Sequence, residues 1–185
     1  MSWGVCICDR QRRGGRVDED DRARLAEFVA NRTPALMRVA YLLTGDRHTA
    51  EDLFQSALAK TIPRWRELRH ADPEGYLRTV MYREQVSWWR RLRRHRETSL
   101  TGADERAGPD PSGGADVRLA MRAALRALPT AQRTVVVLRY YEDLTENQVA
   151  AALGWPVGTV RSRTNRAVAR LRQLLPDIEL LEVRR

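Results

Sequence analysis

The sequence predicts an all-α fold of two small helical domains joined by a flexible linker, and three observations carry that prediction. Leu, Ala, Arg and Glu dominate the 185 residues while strand-favouring runs are scarce, Val135 to Leu138 being the clearest exception. Apolar residues recur at intervals of three and four along most of the chain. Between Glu97 and Asp116 the composition turns to Gly, Pro and acid, which marks a spacer. A chain of this length makes one ordinary domain or two small ones with modest cores.

Residues 1–19 mix Gly, Arg and acid without helical period and predict a disordered extension. From Asp20, Leu25, Phe28 and Val29 keep helical spacing, and Thr33 with Pro34 supplies an N-cap and first-turn proline for a second helix to about Leu43, ended by Gly45. Asp46 can cap a third helix with an apolar stripe of Leu53, Phe54, Ala57, Leu58 and Ile62, closed by Pro63. Asp72 and Pro73 start a fourth, in which Leu77, Val80, Met81, Trp88 and Leu92 recur at helical spacing. These four helices, residues 20–96, form the first domain. Residues 97–116 form the linker, whose acidity admits shielding of basic neighbours, although solvation of an unfolded spacer is a sufficient reason for it.

The second domain, residues 117–176, opens with a helix from Val117 through Leu128. Pro129 and Thr130 break it, and Thr130 caps a further helix of about twelve residues containing the valine run. A buried strand is the alternative for those valines; element length and the want of a partner strand favour helix. Thr145 caps a short helix ending at Gly154, and a last helix runs from Gly158 to Leu175, leaving residues 177–185 as a tail.

The formal charge of +9 and pI near 10.6 point to a polyanionic partner: nucleic acid, an acidic membrane or an acidic protein. Of the 33 basic residues only Lys60 is a lysine, so nearly all positive charge sits on guanidinium forks, although GC-rich coding would produce the same bias. No stretch approaches the roughly 18 apolar residues of a membrane span and no signal-peptide core opens the chain, so the sequence predicts a cytoplasmic protein without membrane insertion. Cys6 and Cys8 are too close for an ordinary disulfide and too few for zinc, so no metal is expected. His48, His70 and His95 stand singly on polar stretches and read as surface residues. Clustered carboxylates, paired histidines, a nucleophile with its base and a phosphate-cradling glycine loop are all missing, which argues against an enzyme and against a cofactor.

The most informative pattern is TENQVAAALGWPVGTVRSRTNR, Thr145 to Arg166, which has the anatomy of a helix-turn-helix. Ala150 must be small where the two helices cross, Gly154 permits the turn, and Val149, Leu153 and Val160 fill the wedge. Thr159, Val160, Arg161, Ser162, Arg163, Asn165 and Arg166 form the candidate DNA-reading segment, and no acid interrupts Gly158 to Leu175. A solvated basic face on an ordinary helical hairpin is the bland alternative. In the first domain SWWRRLRRHR, Ser87 to Arg96, places five arginines within seven residues beside two tryptophans. Trp88, Arg90, Arg91, Arg93 and Arg94 are its candidate nucleic-acid contacts, since one tryptophan can pack while the other stays free to stack on a base. Packing of both tryptophans fits equally.

From about Ala26 to Leu175 these residues resemble the small two-domain sigma factors of bacterial RNA polymerase, the extracytoplasmic-function or group-four sigma factors. AEDLFQ, Ala50 to Gln55, is similar to the family segment that docks on the beta-prime clamp helices, which implies polymerase-binding roles for Asp52, Leu53 and Gln55. YLRTVMYREQVSWWRRLRR looks like the helix that reads and melts the minus-10 element, and its SWWRR core resembles an actinobacterial sigma-E-like subgroup. ALPTAQRTVVVLRYYEDLTENQVAAALGWPVGTVRSRTNRAVARLR resembles the domain that reads the minus-35 element. The sequence departs from the family where Ser56 and Ala57 replace the usual Glu and Thr, and where acids usually stand near Asn147 and Gln148. The resemblance implies promoter DNA and polymerase core, including its beta flap, as partners, and admits an anti-sigma protein. A repressor or activator using the same helix-turn-helix without polymerase is the rival reading.

Overall fold

The computed structural model describes residues 19–98 and 115–175. The expected N-terminal extension with Cys6 and Cys8, most of the linker and the C-terminal tail lie outside the described residues, as do the side chains of residues 89–98 and 115–116. Eight α-helices follow in order: α1 Glu19–Thr44, α2 Arg47–Thr61, α3 Trp65–Leu68, α4 Pro73–Thr98, α5 Ala115–Ala127, α6 Thr130–Val136, α7 Glu146–Leu153 and α8 Val157–Leu174. A 3-10 turn at Ile62–Arg64 joins α2 to α3, and a π turn at Val137–Tyr141 extends α6. No strand occurs among the described residues, so the valine run is helical, buried along Val135, Val136, Val137 and Leu138.

The two helices expected before Gly45 are one. Thr33 caps nothing: its hydroxyl donates to the Val29 carbonyl one turn back at 2.6 Å, and Pro34 sits inside α1. An interior proline forfeits a backbone hydrogen bond and costs about 3 kcal/mol, so packing on both sides must hold the helix together. On the N-terminal side Phe28 packs on Trp65 with ring centroids 5.3 Å apart, and buried Asp21 accepts from Arg66 Nε at 3.1 Å and from Arg69. On the C-terminal side Leu36, Val39, Ala40 and Leu43 are core. Gly45 ends α1 as expected, with φ +81° and its N–H donating to the Tyr41 carbonyl at 2.7 Å.

Asp46 caps α2 by accepting from the Thr49 N–H at 2.8 Å. Pro63 falls within the 3-10 turn and leaves Ile62 exposed, so Ile62 leaves the apolar stripe that Leu53, Phe54 and Ala57 keep. Asp72 caps α4, accepting from the Gly75 N–H at 2.8 Å. The linker expected over residues 97–116 is shorter at each end, because α4 continues to Thr98 and α5 starts at Ala115. Thr130 does not cap α6. Pro129 holds that position, and the Thr130 carbonyl accepts from the Thr134 hydroxyl instead.

The two halves do not keep separate cores. Leu36, Leu43, Leu53, Leu77 and Met81 share one apolar cluster with Val135, Leu138, Val149, Leu153 and Val160 from beyond the linker. Fully burying a side chain of this size stabilises by about 1.5–3 kcal/mol, so the apolar contacts between the halves add to what each small core supplies. A second, smaller cluster joins α5 to α8 through Leu125, Leu128, Ala167 and Leu171. Polar bonds also cross between the halves. Arg133, only 7% exposed and pushed down to about pKa 10 by burial, donates Nε–H to the Leu43 carbonyl at 2.8 Å, which also accepts from Gln85 at 3.1 Å.

Candidate nucleic-acid interface

Thr145 and Gln148 form a reciprocal capping box at the start of α7: the Thr145 hydroxyl accepts from the Gln148 N–H at 3.2 Å, and Gln148 Oε1 accepts from the Thr145 N–H at 2.8 Å. Gly154 closes α7 in the left-handed region, φ +65°. Buried Val149, Ala150, Leu153 and Val160 hold the two helices of the motif against each other and against the first half. The C-terminal end of α7 is tied to α4, because Arg83 donates Nε–H to the Ala152 carbonyl at 2.9 Å.

This frame sorts the candidate DNA-reading residues. Arg161, Ser162, Asn165 and Arg166 are exposed along α8, while Thr159 and Arg163 are half-buried. Val160 is 0% exposed, so it belongs to the wedge and not to a DNA-contacting set. Two arginines are already engaged. Arg161 donates Nε–H and Nη2–H to Glu146 Oε2 at 3.1 and 2.9 Å, and the Arg163 guanidinium lies 4.2 Å from the centre of the Trp155 ring. Neither Glu146 nor Trp155 is singled out by the sequence; a carboxylate beside a capping threonine reads as ordinary helix-start chemistry.

In the first half, Trp88 is 45% exposed on α4, consistent with a ring left free to stack. Arg90, Arg91, Arg93 and Arg94 continue α4, with side chains outside the described residues. Asp52 and Gln55 are exposed on one face of α2, three residues apart. Leu53 is 6% exposed and packs in the core, so it supports that face from beneath and offers no contact of its own. His48 and His70 are exposed, and no cluster of metal-ligating side chains occurs among the described residues. No described helix is long and apolar enough to cross a membrane.

Fold and surfaces together define a helical, DNA-reading protein with a helix-turn-helix carried on a second helical unit. The chain matches Sigma-70 region 2 over residues 28–95 and Sigma-70, region 4 over residues 118–171. It is 40% identical over 152 residues to the RNA polymerase sigma-E factor of Streptomyces coelicolor, a match spanning 80% of this chain and 84% of that protein. To the ECF RNA polymerase sigma factor SigL of Mycobacterium tuberculosis it is 34% identical, spanning 77% and 84%. Among solved structures it resembles the sigma factor RpoE in complex with the anti-sigma factor NepR from Bartonella quintana, with TM-score 0.63, 27% identity and coverage of 82% of this chain and 96% of that one. CnrH in complex with the cytosolic domain of CnrY follows at TM-score 0.51 and 26% identity, covering 84% and 89%. The chain belongs to the sigma-70 family of RNA polymerase sigma factors, which direct promoter-specific initiation of transcription.

Proposed function

We propose that this sigma factor divides its work among three surfaces. Asp52 and Gln55 dock on the clamp helices of polymerase core, the segment Trp88, Arg90, Arg91, Arg93 and Arg94 takes the minus-10 element, and Thr159, Arg161, Ser162, Arg163, Asn165 and Arg166 take the minus-35 element. The observation that carries this reading is the acid-free face of α8, displayed by a capped and wedged helix-turn-helix. Arginines there supply salt-dependent affinity by displacing counterions, while base edges supply the sequence choice. The work is done by binding, without covalent chemistry, in the cytoplasm where polymerase operates. By likeness to the two solved complexes, an anti-sigma protein is a further partner.

The two domains, residues 20–96 and 117–176, read separate stretches of DNA, so the shared core must part when both engage. Transcription from a promoter library by purified core polymerase, with and without the full chain, tests the reading. Initiation from a defined subset of promoters is expected only with the chain present. Arg161→Ala with Arg163→Ala should erase protection of the upstream element in a footprint; an unchanged footprint would reject the α8 assignment.

A further inference from the structure

On the α8 face, the charge of Arg161 is met by a carboxylate, that of Glu146. Glu146 is the first residue of α7, and its position is fixed by the capping box on either side of it. Its carboxylate lies at the positive end of α7. It accepts two N–H bonds from Arg161 on one oxygen. Arg161 has five N–H donors, so two are used and three remain, including the outer Nη1–Nη2 edge. That edge is a two-pronged fork, the geometry that meets guanine O6 and N7 in the major groove.

The charge is another matter. A free guanidinium displaces about one counterion from any phosphate it reaches, whatever the sequence. One neutralised by Glu146 gains little from phosphate, yet keeps its donors for a base edge. We infer that Glu146 is a specificity-determining positioning residue: it turns Arg161 from a phosphate clamp into a reader of one guanine in the upstream promoter element. The inference rests on α8 entering the major groove and goes beyond it by assigning a base, a partner residue and a loss of non-specific affinity.

The test uses the full chain, with Glu146→Gln, Arg161→Ala and the double variant, each confirmed as folded by its unfolding transition. Binding to random-sequence duplex is followed between 50 and 200 mM salt, estimates of the slope being interpreted as roughly 0.9 per neutralised phosphate. Base preference is read by transcription from a promoter library with polymerase core. Wild type should favour guanine at one upstream position by about tenfold, and Arg161→Ala should abolish that preference. Glu146→Gln should weaken it several-fold, tighten random-duplex binding and steepen the salt dependence by about one counterion, and should do none of these in the Arg161→Ala background. An unchanged slope and preference in Glu146→Gln would overturn the inference while leaving α8 as the reading helix. The same gain in affinity without Arg161 would overturn it too, since Glu146 would then act only by repelling DNA. Failure of Arg161→Ala, Arg163→Ala and Arg166→Ala together to weaken upstream-element recognition would remove the α8 reading itself.

Discussion

The Tyr82 hydroxyl donates to Glu142 Oε2 at 2.6 Å, tying α4 of the first half to the residue that follows the π turn in the second. Arg78 donates to the same oxygen, so one carboxylate collects two donors from the other half. Burial, reinforced by the Glu142 carboxylate, raises the Tyr82 pKa well above its ordinary 10.0. A raised folded-state pKa means this contribution is complete below about pH 10 and is lost as pH climbs from there toward the folded value, because only the unfolded chain gives up the proton readily. Tyr82→Phe should therefore cost roughly 1.5–3 kcal/mol at neutral pH, the range for a hydrogen bond to a charged group. Denaturant unfolding at pH 8 and pH 11 should show the gap between the two proteins narrowing. A gap that stays constant or widens at high pH would contradict the assignment.

Gly45 is where the end of α1 meets the second half. A Cβ added there would lie 2.7 Å from Arg126 Cγ and 3.0 Å from the Arg133 guanidinium, on a backbone with φ +81°. Gly45→Ala combines a left-handed residue with a side chain, a strain of about 1–3 kcal/mol. Part of that loss comes from Arg126 and part from the backbone alone. Adding Arg126→Ala should recover the contact part and leave the rest, so the double variant should unfold between wild type and Gly45→Ala. Equal instability of the single and double variants would assign the whole cost to the backbone.

Trp155 and Arg163 can be separated by the same kind of reasoning. Arg163→Ala removes a charge and a donor, so it should weaken DNA binding and lower the salt dependence by about one counterion. Trp155→Ala removes the ring beneath the guanidinium but leaves the charge, so it should weaken promoter recognition without changing the salt slope. Titration of promoter duplex at several salt concentrations gives both quantities, and a slope change in Trp155→Ala would show that the ring does more than position its neighbour.

Much of this architecture is legible in the sequence because its signals are local. Gly45, Asp46, Asp72, Thr145 and Gly154 each set a helix boundary through bonds to residues a turn away, and each does so in the structure. What misleads is decided by distant residues. Thr33-Pro34 looks like a helix start, yet Phe28 on Trp65 and Asp21 beneath Arg66 and Arg69 hold α1 continuous through it. The shared core is equally hidden, since Leu36 and Val135 carry no mark of being neighbours. Arg133 is the hardest to foresee: in a chain so rich in arginine nothing separates the one that is buried across the halves from those on the surface. Among the site residues, Val160 and Leu53 sit inside segments whose neighbours are exposed, and helical geometry alone turns them inward.

The same alternation on α2 bears on the face proposed to dock on polymerase. Asp52 is exposed and Leu53, its neighbour, is core. Leu53→Ala deletes buried methyl groups from the cluster common to both halves and should cost about 2–5 kcal/mol, lowering capture by polymerase core only as far as it unfolds the chain. Asp52→Ala touches no core contact and should leave the unfolding transition in place while reducing capture, as should Gln55→Ala. The two effects separate when capture is measured at a temperature where every variant is fully folded. Under that condition Leu53→Ala should match wild type and Asp52→Ala should fall short of it. The reverse order would mean that polymerase grips this sigma factor through a surface other than the exposed face of α2.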